Sequence, residues 1–175
     1  MIISVEEIKK LVEFKDWTDE KIKMKLLAVE QTIRAYTNNN FQKRSVRAEC
    51  GVVAQQIYGD VPGLNVGDTI QISESRFSDG LHVVTAIDEN FIEVEKELID
   101  ESDILVTKVE YPADVITCAV NLMEWEVNNR PKVGIQSETL SRHSVTYFNQ
   151  DSANQIMGYP VSLLGCLKPY RKARC

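Results

Sequence analysis

The chain has 175 residues, 43% hydrophobic and 26% charged, with a formal net charge of −6, which is an ordinary globular composition. That length fits one domain, or one domain with an insertion, and supports a core without disulfides or metal. The charge distribution excludes a chain that grips nucleic acid throughout: from Glu49 to Glu110 fourteen acids stand against three bases, Arg76, Lys96 and Lys108, a local net of −11 that repels phosphate.

The first element begins at Ser4, with Glu7 at capping-box spacing. Val5, Ile8, Leu11 and Val12 then fall on one helical face. Phe14-Lys15-Asp16-Trp17 breaks the pattern, and Thr18 is placed to cap a second helix. Ile22, Leu26, Val29, Ile33 and Tyr36 follow at steps of four, three, four and three. Glu20, Lys21, Lys23, Lys25, Glu30 and Arg34 are expected to point away from that seam. The spacing predicts a helix over 18–37, ended by Asn38-Asn39-Asn40. The N-terminus has neither a basic region nor a long apolar run, so no signal peptide is expected, and no stretch of about 18 apolar residues offers a membrane span.

From Val46 to Tyr111 the sequence becomes β-like. Thr69-Ile70-Gln71-Ile72-Ser73 and Phe91-Ile92-Glu93-Val94-Glu95 alternate, Leu81–Ile87 is β-branched, and Ile104–Val109 follows. Gly63, Gly67-Asp68, Asp79-Gly80 and Asp88-Glu89-Asn90 read as turns. With a first strand near Val46–Ala54 this predicts about five short strands, enough for a small closed antiparallel barrel of SH3-like kind. An open antiparallel sheet is the other arrangement.

Pro112 opens a third helix, with Ile116, Val120, Met123 and Val127 in one apolar line broadened by Ala119, Leu122 and Trp125. This helix is expected to be largely buried between neighbours, other subunits included. Asn128-Asn129-Arg130-Pro131 ends it, and a polar stretch, Val133–Leu140, precedes a short strand over Ser144–Phe148. Pro160 opens a last short helix through Leu163, Leu164 and Leu167, and Pro169 is expected to stop it. The basic tail beyond, with Arg171, Lys172 and Arg174, is expected to leave the domain extended. The fold class is therefore α+β: a small helical bundle, residues 1–45 plus 112–175, carrying an inserted β module, residues 46–111.

No catalytic set emerges. His82 and His143 lack a second ligand at metal spacing and read as surface or half-buried histidines. Ser137, Glu138 and Ser141 have no glycine-framed nucleophile turn and read as a polar hairpin or loop, and the surroundings of Gly134 and Gly165 are not phosphate loops. Glu93, Glu95, Glu97, Asp100, Glu101 and Asp103 lack the ligand order of a calcium loop and read as a solvated acidic face. Cys50, Cys118, Cys166 and Cys175 are scattered, and Cys118 and Cys166 read as buried, reduced thiols that suit a bacterial cytoplasm. Arg76-Phe77-Ser78-Asp79-Gly80 reads as a hairpin turn, with a nucleic-acid contact or a protein contact as the other possibilities, and Trp17 and Trp125 as core or interface anchors. No enzyme activity, metal or cofactor is expected.

The helical ends carry a resemblance. Tyr111-Pro112-Ala113-Asp114-Val115-Ile116 with Trp125 and Asn129-Arg130, the run Gly134–Tyr147, and the close Leu167-Lys168-Pro169-Tyr170-Arg171-Lys172-Ala173-Arg174 resemble the head–tail connector (adaptor) family of long-tailed bacteriophages. Family members mostly have a plain loop where this chain has its β segment. The resemblance implies a structural virion protein at the head–tail junction, assembled in the host cytoplasm. Its partners would be the portal, identical subunits in a twelve-fold ring, the next head-completion or tail protein, and passing DNA without sequence-specific contact. Tyr147, Tyr170, Arg171, Lys172 and Arg174 are the expected protein-contact residues. The rival reading is a nucleic-acid-binding or regulatory module built on the barrel. A small enzyme is a weaker rival.

Overall fold

The computed structural model describes residues 1–132, 137–140, 143–146 and 154–173. The chain is α+β and divides into two compact units, Met1 with residues 40–111 and residues 2–39 with 112–175.

The first unit is a closed, wholly antiparallel barrel of six strands in the order β1-β2-β5-β4-β3-β6, with β6 returning to β1. Its strands are β1 (Gln42–Val53), β2 (Gln56–Tyr58), β3 (Thr69–Ser73), β4 (Gly80–Ile87), β5 (Phe91–Val94) and β6 (Glu101–Val109). β1 closes the barrel because it pairs with β2 at one end and with β6 along its length, bending at register shifts between Gln42 and Arg47 and between Cys50 and Val52. It starts before Val46 because Gln42 already pairs with Val109, although Lys43, Arg44 and Ser45 are exposed and give no apolar alternation. The core is built from inward residues two apart on each strand: Cys50 and Val52, Ile70 and Ile72, Ile104 and Val106, closed by Ile57, Val84 and Ile92.

Ala54 and Gln55 join β1 to β2 with φ of 51° and 68°, so this hairpin reverses through two left-handed residues, neither of them glycine. At the end of β2, Gly59 has φ +154°, and a Cβ there would lie 2.6 Å from Cys50 Sγ. Gly59→Ala is therefore expected to lower barrel stability by about 1–3 kcal/mol, the usual cost of overpacking. Urea unfolding measures this, and an unchanged midpoint would show that β1 and β2 separate freely.

In the second unit, α1 (Val5–Leu11) starts at the capping box: Glu7 N–H donates to Ser4 Oγ and Ser4 N–H to Glu7 Oε2, both at 3.2 Å. α2 (Asp19–Thr37) is capped by Thr18 and ends at Asn38 in the left-handed conformation. Ile22, Leu26, Val29 and Ile33 are fully buried, as the seam requires. Two residues depart from that reading: Tyr36 is half-buried, and Glu30, expected to face away, is buried together with Thr37. Leu26, Glu30, Ile33 and Thr37 form a second line beside the first, so the buried arc is wider than a single seam.

α3 (Ala113–Asn128) buries Val115, Cys118, Ala119, Leu122, Met123 and Glu126. Of the expected line only Met123 is fully buried; Ile116, Val120 and Val127 are half-buried. The face is turned by one residue, because Cys118 meets Leu163 O through Sγ at 3.3 Å and Glu126 is drawn inward by charged partners. A short 3-10 turn (Arg130–Lys132) follows. β7 (Ser137–Leu140), in the stretch read as a polar hairpin or loop, pairs antiparallel with β8 (His143–Thr146) as a hairpin, and β9 (Gln155–Ile156) pairs with β10 (Tyr159–Pro160). β8 carries the strand expected over 144–148 as far as Thr146, starting one residue earlier, and residues 147 and 148 lie outside the described set.

The closing segment is a 3-10 helix over Val161–Tyr170 with Pro169 inside it. The proline therefore does not end it: its missing N–H removes one bond, and Arg171 N–H, donating to Lys168 O at 3.3 Å, closes the last turn. Three residues per turn place Leu164 and Leu167 on one fully buried line. Cys166 falls off that line and is exposed, contrary to its reading as a buried thiol.

Candidate interaction surfaces

The basic tail is anchored by its backbone. Lys172 N–H donates to Thr37 O at 2.8 Å, Asn38 Nδ2 to Ala173 O at 2.9 Å, and Asn39 Nδ2 to Tyr170 O at 3.3 Å. The Tyr170 hydroxyl lies 2.7 Å from both oxygens of Asp114, and this hydrogen bond raises the phenol's pKa. The Arg171 guanidinium stands 5.2 Å from the Tyr36 ring centroid. The expectation of a tail leaving the domain is corrected through Ala173. Groups at the ends of α2 and α3 bind it as a strap, while the Arg171 and Lys172 side chains stay exposed. Tyr147 and Arg174 lie outside the described residues.

A second constellation gathers around Glu126, whose side chain is 1% exposed. Arg130 Nε lies 3.2 Å from both carboxylate oxygens and Nη2 2.7 Å from one, and Lys25 Nζ is 3.0 Å away. The guanidinium also donates to Gly158 O at 3.0 Å and lies 4.5 Å from the Trp125 ring centroid and 5.1 Å from that of Tyr159. Burial alone would raise the Glu126 pKa, but hydrogen bonds from Arg130, Tyr159 and Lys25 outweigh it and hold it at about 2. Burial and the bond to Glu126 push the Tyr159 phenol up. Trp125 is thus an anchor, as expected, but for an internal arginine. The sequence reading named Trp125 and Arg130 and passed over Glu126; its signal was the i,i+4 spacing to Arg130.

A cleft of about 480 Å³ opens beside the C-terminal end of α3. Leu11, Trp17, Val127 and Pro131 supply its apolar wall. Glu13, Asp16 and Glu124 stand exposed around it, with Lys15 as the base among its lining residues. Trp17 packs on Phe14, ring centroids 5.6 Å apart, and carries Lys21 Nζ 4.3 Å from its own centroid.

His82 is buried, which corrects its surface or half-buried reading. It stands two residues before Val84 on β4 and shares that strand's inward face. Its Nε2 lies 2.9 Å from Ser78 O, and burial lowers its pKa. Residues 75–79 form a hydrogen-bonded loop: Asp79 accepts from Ser75 N–H, Ser75 Oγ from Phe77 and Ser78 N–H, and Glu101 from Arg76 N–H. Phe77 projects from it, 65% exposed. Among the described residues no cluster of three or more His, Cys, Asp or Glu is placed to hold a metal, and no helix is long and apolar enough to cross a membrane. No protein-family model matches the chain, and no curated protein matches it by sequence.

Proposed function

We propose that the chain is a structural head–tail connector (adaptor) subunit of a long-tailed bacteriophage or prophage, not an enzyme. Identical copies form a ring, twelve-fold on the portal, that extends the DNA channel and offers a docking surface to the next head-completion or tail protein. The protein then resides at the head–tail junction of the virion, after assembly in the host cytoplasm. The observation that carries this reading is that the segments flanking the barrel rejoin as one unit. Lys25 pairs with Glu126, and the strap links Asn39, Tyr170 and Asp114. These helical ends carry the resemblance, so the connector core is read as a helical bundle and the barrel as an SH3-like insertion.

The chemistry supports such a role. Half-buried Ile116, Val120 and Val127 offer apolar surface for a neighbour to cover. The barrel unit holds fourteen acids and six bases, whereas the helical unit holds twelve acids and fourteen bases. An acidic module beside passing DNA withholds the phosphate contacts that create grip. The same acidity weighs against the alternative, a nucleic-acid-binding or regulatory module, for which exposed Phe77 beside Arg76 is the favouring feature. Purified chain is expected to co-sediment with DNA-filled, tail-less heads that carry a portal. No co-sedimentation, at any protein excess, would sink the connector reading.

A further inference from the structure

We infer that the acidic cleft beside the C-terminal end of α3 binds the basic C-terminal strap of a second copy of this chain. The inference deepens the connector reading, on which it rests for the ring that such a contact would build. The cleft and the strap lie at opposite ends of one helix pair. α2 and α3 run antiparallel: Lys25, early in α2, meets Glu126, late in α3, while Asn39 and Asp114 share Tyr170 at the other end. Trp17 and Glu124 bound the cleft at the first end. Thr37, Asn38 and Asp114 hold the strap at the second. The 19 residues of α2 separate them by about 28 Å at the rise of an α-helix. An anchored strap therefore does not meet its own cleft.

The two surfaces are chemically matched. Glu13, Asp16 and Glu124 stand exposed around the cleft, and Arg171 and Lys172 stand exposed on a strap whose backbone is already ordered. Pre-ordering removes much of the entropy cost of docking, and arginine pairs bidentately with carboxylates. Leu11, Trp17 and Val127 add an apolar wall against which the stems of the arginine and lysine side chains can pack. Because donor and acceptor surfaces differ, the contact is head-to-tail, and repeated with a closing rotation it generates a ring.

Two charge-reversed variants of the full chain test this: one with Glu13→Lys and Glu124→Lys, the other with Arg171→Glu and Lys172→Glu. Sedimentation equilibrium at low salt, over rising concentration, reads self-association, and circular dichroism checks that each variant is folded. Wild type is expected to associate, and each variant alone to associate about tenfold or more weakly. Mixing the two variants is expected to restore association, because each then meets an opposite charge on both of its surfaces. A wild type that stays monomeric throughout, variants that associate as wild type does, or a mixture no stronger than either variant alone overturns the inference. Its failure is distinct from that of the connector reading. Restored association without uptake by heads removes only the connector role. Normal uptake by heads with no charge dependence of association removes only this interface.

Discussion

Arg130→Ala is expected to lower the unfolding free energy of the helical unit by about 3–4 kcal/mol, the cost of leaving a buried charge short of its partner. The carboxylate of Glu126 is almost fully buried, and Arg130 supplies three of its contacts. Without the guanidinium, that charge keeps Lys25 and the Tyr159 hydroxyl among the described residues, and the stack on Trp125 is lost as well. Glu126→Gln is expected to cost less, about 1–2 kcal/mol, because the Arg130 side chain is 36% exposed and reaches water when its partner is neutral. Denaturant titrations at pH 7 decide the order, and Arg130→Ala falling within about 1 kcal/mol of wild type would show that the cluster adds little to stability.

The same site sets an acid limit. The folded pKa of Glu126 lies at about 2, below its ordinary 4.5, so the stability it contributes is complete above about 4.5 and is lost as pH falls toward 2. In Arg130→Ala the folded pKa rises back toward the ordinary carboxylate value, so the acid-dependent loss is smaller and ends at a higher pH.

Deleting the strap from Tyr170 onward is expected to destabilise the same unit by about 2 kcal/mol, since four hydrogen-bonded links go and the exposed ones lie at the low end of roughly 0.5–1.5 kcal/mol each. A loose tail would predict no change. The charge-reversed strap with Arg171→Glu and Lys172→Glu keeps the backbone bonds and is expected to melt close to wild type. Under the connector reading it nevertheless attaches poorly to heads, because the exposed cations are the groups reversed. Thermal melts beside head co-sedimentation separate the two effects. A deletion that melts with wild type would mean the strap does not hold in solution.

Features written in local chemistry were legible in the sequence. The capping box at Ser4, the helix from Thr18 to Asn38, the change of period after it and the helix opened by Pro112 each depend on residues within a few positions of one another. Features decided by distant partners were not. Nothing near Glu126 announces burial; Lys25 and Tyr159 decide it. β2 was missed because its hairpin turns through Ala54 and Gln55, which lack the glycine or asparagine that usually marks left-handed residues. Pro169 reads as a stop because proline breaks the i→i−4 ladder of an α-helix, whereas this closing 3-10 helix carries it inside. The tail was read as loose because the asparagines that hold it, Asn38 and Asn39, lie more than 130 residues away in sequence. His82 shows a missed inference: its alternation with Val84 already placed it inside.

The two ends of the barrel meet. Gln42 pairs with Val109, Glu110 N–H donates to Phe41 O at 2.9 Å, and the Phe41 and Tyr111 rings lie 4.9 Å apart between centroids. A segment of some seventy residues thus leaves and rejoins the helical framework through one narrow neck (well within the reach of a short turn). Such a neck makes the module a cassette: a loop of two or three residues, or a foreign domain with adjacent termini, spans the same gap without stretching either helix. Replacing the whole barrel by such a linker is then expected to leave the helical unit folded, since the chain passes between residues 40–111 and the helices at those two strand ends.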